Sequence, residues 1–117
     1  MKLNKEQNQI MKQSVIAVVL LTLPASLAIA AGDAAAGKAV YDKSCKSCHG
    51  ADGSANPNIA KMMKVEIKDL SSADVQAHSD ADLKKIVTEG QGKMKPIKTV
   101  AGKDVDNVVA YVRSLKK

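Results

Sequence analysis

Apolar positions along this chain follow two kinds of pattern. Near the N-terminus, Ser14 to Leu23 reads SVIAVVLLTL, a hydrophobic run with no charge in it. Beyond it, apolar and small residues recur at three- and four-residue intervals, the spacing of one helical face. Ala36, Gly37, Val40, Tyr41 and Ser44 form the first such stripe, behind Asp33, whose carboxylate is placed to cap the opening amides. Leu83, Ile86 and Val87 form a second, with Ser79 as cap, Asp80 and Asp82 in the first turn and Gly90 as stop. Val105, Val108, Val109 and Val112 form a third, with Leu115 beyond and basic residues in the final turn. The stretches HGADGSANPNI and QGKMKPIKTVAGK are rich in Gly, Asn and Pro and read as loops. SSADVQA offers one or two helical turns, while IAKMMKVEIKDL has a mixed period and is assigned to no long element. With no alternating strand pair and no repeat, the pattern predicts an all-α domain of three to four helices joined by long loops.

The N-terminal run changes the domain count. Lys2, Lys5 and Lys12 precede it, Pro24 breaks it, and ASLAIA then sets Ala28 and Ala30 at the spacing of a signal-peptidase site. Residues 1–30 are therefore expected to be a cleavable secretory signal, leaving 31–117 as one domain. The rival is a retained anchor, because Ser14 to Ala31 carries eighteen uncharged residues, near the lower limit for a membrane span. Pro24 and the Ala-x-Ala site favour cleavage and export.

Without the leader, 15 basic side chains face 11 acidic ones, a net charge of about +4. That is too mild to imply nucleic acid. The two tyrosines, Tyr41 and Tyr111, are the only aromatic residues, so no base-stacking platform can be built. The lack of Phe and Trp has a second consequence: a domain this small needs bulk or a staple to hold a core, and its side chains supply little.

Cys45, Cys48 and His49, in SCKSCHG, hold both cysteines of the chain. C-x-x-C-H is the signature of covalent c-type haem attachment. On a helical turn two cysteines three apart project from one face, so each sulfur can form a thioether with one vinyl group of a porphyrin. His49 follows directly and can bring its imidazole to the iron. A structural zinc needs four ligands, and beyond this cluster only His78 remains, twenty-nine residues after His49. A thioredoxin-like dithiol would need a β-α-β context, and a Cys45–Cys48 disulfide would close too short a loop to stabilise much. Haem also supplies the missing bulk.

The candidates for a second axial ligand are Met62, Met63, Met94 and His78. Met94 follows two glycines in GQGKMKPIK and stands just before Lys95-Pro96, where the chain is pushed out of helix. Core filling suits Met62 and Met63 better, and His78, in the polar run QAHSDAD, reads as solvated. Met94 is the favoured ligand.

With GKAVYDKSCKSCHG, GKMKP and VVAYVRSL in place, the sequence resembles the class I cytochromes c of the small, single-haem bacterial type, over nearly all of residues 31–117. The resemblance implies helices wrapped around one covalently bound haem c. It implies a close crossing of the first and last helices at Gly37, Tyr41, Val108 and Tyr111, and a proline carbonyl, with Pro57 the candidate, accepting from the proximal histidine Nδ1. It further implies a periplasmic electron carrier rather than an enzyme, cycling between ferric and ferrous iron with His49 and Met94 as ligands. One departure is that relatives commonly place the proline directly after the methionine, whereas here Lys95 intervenes. Lys46, Lys61, Lys64, Lys93, Lys95 and Lys98 fall near the motif and loops, where they could steer a monomeric carrier to acidic patches on transient redox partners. The alternative is a five-coordinate or weakly capped haem acting as a gas sensor or small peroxidase.

Overall fold

The structure is a computed structural model and describes residues 32–117; the expected leader lies outside them. Among the described residues there are six helices: α1 (Ala34–Ser44), α2 (Lys46–His49), α3 (Pro57–Met63), α4 (Ala73–Gln76), α5 (Asp80–Glu89) and α6 (Lys103–Ser114). Two of these, α2 and α4, are four-residue single turns, so four exceed one turn. The expected all-α class holds.

Local signals set most of the boundaries. The Asp33 carboxylate accepts from the amides of Ala35 and Ala36 and opens α1. Ser72 and Ser79 cap α4 and α5 in the same way. Gly90, at φ 80°, ends α5. One segment departs from expectation: NPNI, expected as loop, begins α3. Asn56 caps that helix by accepting from the Asn58 amide, and Pro57 occupies its first position. Proline is favoured there because the amide it lacks would have no helical partner. The basic tail also departs, since Lys116 and Lys117 lie beyond α6 and only Arg113 sits in its last turn.

The fold rests on the crossing of α1 and α6. A Cβ built on Gly37 would lie 1.8 Å from the Asn107 carbonyl oxygen, so only a glycine lets the two backbones approach this closely. Tyr41 and Tyr111 meet at the crossing with ring centroids 4.9 Å apart and planes tilted by 57°. Tyr41 is fully buried, and Val100, Val105 and Val108 complete its cluster. A second cluster joins Val75 of α4, Leu83 of α5 and Val109 of α6. Asn107 is buried at 5% exposure, and its side-chain oxygen accepts from the Asp33 amide at 2.9 Å. Arg113 ties α4 and α5 to α6: its guanidinium donates to Asp80 and to the carbonyls of Gln76 and His78.

Candidate haem site

The C-x-x-C-H motif sits on a turn of its own. Cys45, at φ −122° and ψ −34°, interrupts the helix after Ser44, and its amide closes back onto the Tyr41 carbonyl. The amides of Cys48 and His49 then both donate to the Cys45 carbonyl, at 3.2 and 3.0 Å. Gly50, at φ 77°, ends the turn. Its carbonyl accepts from the buried Tyr41 hydroxyl at 2.6 Å, so the far end of the motif is tied back to α1.

A second brace comes from the following loop. The Ala55 amide donates to the His49 carbonyl and the Asn56 amide to the Cys48 carbonyl, each at 2.9 Å. The Asn56 side chain donates to the Ser47 carbonyl at 3.0 Å while its oxygen caps α3. Asn56 thus sets α3 against the motif. The Asn-Pro pair before IAKMM was the signal that could have revealed this role.

Cys45 and Cys48 are free and half-buried. Burial, with a smaller contribution from Cys48, pushes the Cys45 thiol up to about 11. A reactive redox dithiol would need the opposite shift. No zinc-type cluster of ligands forms among the described residues. Burial also lowers the pKa of His49, which favours the neutral imidazole.

The His49 Nδ1 is buried with no hydrogen-bond partner. The bond expected from Nδ1 to the Pro57 carbonyl is therefore absent here.

Met94 is half-buried, and its turn is closely defined. The amide and carbonyl of Met94 both pair with Gln91, at 2.9 Å each, across the two-residue turn Gly92–Lys93. Gly92 takes φ 56°, which a glycine adopts without strain. Ile97 then donates to the Val87 carbonyl of α5 at 2.9 Å. Of the other ligand candidates, Met63 is half-buried, and His78 is exposed, as its polar surroundings implied. Met62, expected as core filler, is instead 71% exposed. All six lysines singled out from the sequence are exposed: Lys46 on α2, Lys61 on α3, Lys64 just after it, and Lys93, Lys95 and Lys98 around Met94.

These residues fit a covalently bound haem. Two free thiols and an imidazole whose buried Nδ1 has no partner share one braced turn. Cys45, Val87 and Ile97 pack against the Tyr41 cluster yet stay only partly buried. The motif turn, α5 and the segment after Met94 therefore converge on one apolar centre. No helix among the described residues is long and apolar enough to cross a membrane.

Comparison with known proteins agrees with this geometry. Residues 32–112 match the family model described as cytochrome c oxidase, cbb3-type, subunit III, and the chain belongs to this family of c-type cytochromes. It is 38% identical over 92 residues to cytochrome c-554(547) of Halothiobacillus neapolitanus, covering 74% of this chain and all of that one. It is 37% identical over 99 residues to cytochrome c6 of Rippkaea orientalis, covering 80% of this chain and 78% of the relative. The solved structure of a c-type cytochrome, KustC0563, superposes with a TM-score of 0.59 at 30% identity, covering 69% of this chain and 98% of the other. The chain is a small monohaem c-type cytochrome whose cofactor is one covalently bound haem c.

Proposed function

We propose that the chain is an exported carrier of single electrons. In this reading Cys45 and Cys48 bind the porphyrin by thioethers, and His49 and Met94 are the axial ligands of the iron. The observation that carries it is the state of His49, a half-buried residue whose Nδ1 is buried without a partner, one residue from a half-buried thiol. Neutral imidazole is the form that ligates a metal. Ala55 and Asn56 hold the chain just before Pro57 against the motif, and the Pro57 carbonyl is the acceptor we assign to Nδ1 in the haem-bearing protein.

When bound, haem supplies the one-electron chemistry. The chain binds and orients it and limits access of water to the iron. A ligand set held the same way in both oxidation states leaves little to reorganise, and Met/His ligation raises the potential. The backbone pairing of Met94 with Gln91 supports such a fixed ligand.

Residues 1–30 serve as a cleavable signal that delivers 31–117 to the periplasm as a monomeric carrier, with no catalytic residue of its own. The six exposed lysines steer it to acidic patches on transient redox partners. A transfer rate that ignored ionic strength would remove that part of the proposal.

The ligand set is tested by Met94→Ala in the holoprotein. The ferric spectrum is expected to lose the long-wavelength methionine–iron charge-transfer band and the potential to fall, with haem still attached. An unchanged spectrum sinks the assignment of Met94.

A further inference from the structure

The turn that presents Met94 is anchored on two sides. Toward α5, Gly90 is wedged under it: a Cβ there would lie 2.5 Å from the Met94 carbonyl oxygen and 2.9 Å from the Pro96 ring. The Ile97–Val87 bond secures the same side at 2.9 Å. Toward α3 the anchor is a side chain. The Lys93 ammonium donates to the Met63 carbonyl at 2.8 Å, bridging thirty positions of sequence.

Met63 is the last residue of α3, and the final carbonyls of a helix have no partner within it. Those of Ala60 and Lys61 are taken by the amides of Val65 and Lys64. The Met63 carbonyl is left for Lys93, and a donor carrying full charge makes the stronger kind of hydrogen bond. Lys93 directly precedes Met94, so this contact bears on the turn next to the proposed ligand. Lys95 carries the same charge on the other side of Met94, is exposed, and has no hydrogen-bond partner for its ammonium among the described residues.

We propose that Lys93 is a positioning residue for the methionine ligand: its ammonium latches the Gly92–Lys93 turn to the end of α3 and opposes displacement of Met94 by an outside base. The proposal rests on Met94 being the ligand. With the latch gone the turn keeps its α5 anchors but is free on the α3 side. Opening then costs less, and any base that competes with Met94 binds more tightly in proportion.

Imidazole titrated into the ferric holoprotein tests this, followed by loss of the methionine–iron charge-transfer band. Lys93→Leu keeps an apolar stem and removes the donor without adding a second thioether, and is expected to bind imidazole roughly three- to tenfold more tightly than wild type. Lys93→Arg, which can still donate to the carbonyl, is expected to stay within about twofold of wild type. Lys95→Leu removes the same charge nearby and should leave the affinity at the wild-type value. Wild-type affinity in Lys93→Leu overturns the latch. An equal gain in Lys95→Leu also overturns it, because the effect would then be one of charge. If wild-type ferric protein lacks the band, the ligand reading itself fails and the latch falls with it. If the band is present and Lys93→Leu is unmoved, the latch alone fails.

Discussion

Replacing Gly37 by alanine puts a methyl group where the backbone of α6 already lies. The new carbon would sit 1.8 Å from the Asn107 carbonyl oxygen, 2.4 Å from its carbon and 3.0 Å from the Tyr111 Cβ. A comfortable carbon–oxygen contact is about 3.3 Å, so the helices must part by roughly 1.5 Å. That movement strains everything the crossing holds. Overpacking costs about 1–3 kcal/mol. The 2.9 Å bond from the Asp33 amide to buried Asn107 contributes about 1 kcal/mol and would be stretched or lost. The Tyr41–Tyr111 pair, at 4.9 Å, is worth about 0.5–1.5 kcal/mol. Alanine's better helix propensity offsets about 1 kcal/mol. The net is a loss of about 1.5–4.5 kcal/mol, or a fall in Tm of roughly 6–36 °C for a domain this size. Guanidinium and thermal unfolding of the holoprotein, followed by circular dichroism, would measure it. A Gly37→Ala protein as stable as wild type would refute the close approach of α1 and α6.

Two further outcomes follow from polar contacts between distant parts of the chain. Tyr41→Phe removes the 2.6 Å bond to the Gly50 carbonyl and is expected to cost about 1 kcal/mol near neutral pH. Burial holds the Tyr41 hydroxyl above its ordinary pKa, so its contribution is complete below about pH 10 and is lost as pH rises further, where the unfolded chain ionises first. Denaturant midpoints measured against pH should show that alkaline loss in wild type and less of it in Tyr41→Phe; parallel curves would count against the assignment. Arg113→Met leaves the Gln76 and His78 carbonyls and Asp80 without their shared donor. A loss of about 1–2 kcal/mol is expected, and hydrogen exchange should rise first in α4 and the start of α5; unchanged protection there would contradict the bracing role.

The haem-binding reading was legible from the chain alone because its signals are local. Cys45, Cys48 and His49 are neighbours, and their spacing on one helical turn carries the chemistry. The caps at Asp33 and Ser79 and the stop at Gly90 are likewise decided within a few residues, since a side chain need reach only the next turn. At NPNI two local rules compete: Asn and Pro mark loops, but in that order they also open a helix, and here the helix wins. Met62 was misjudged because hydrophobicity gives a preference for burial without saying which face of a short helix is covered; it is 71% exposed.

What the sequence determined by itself was the all-helical class and the C-x-x-C-H motif of a c-type cytochrome. What only the tertiary structure decided were contacts between residues far apart in the chain. Asn107 on the Asp33 amide spans 74 positions, Arg113 on the Gln76 carbonyl 37, and Lys93 on the Met63 carbonyl 30. A polar side chain in a sequence shows only that it can donate or accept. Which orphaned backbone group it meets depends on how the helices cross, and here the crossing needs the missing side chain of Gly37, whose Cβ would lie 1.8 Å from the Asn107 carbonyl oxygen.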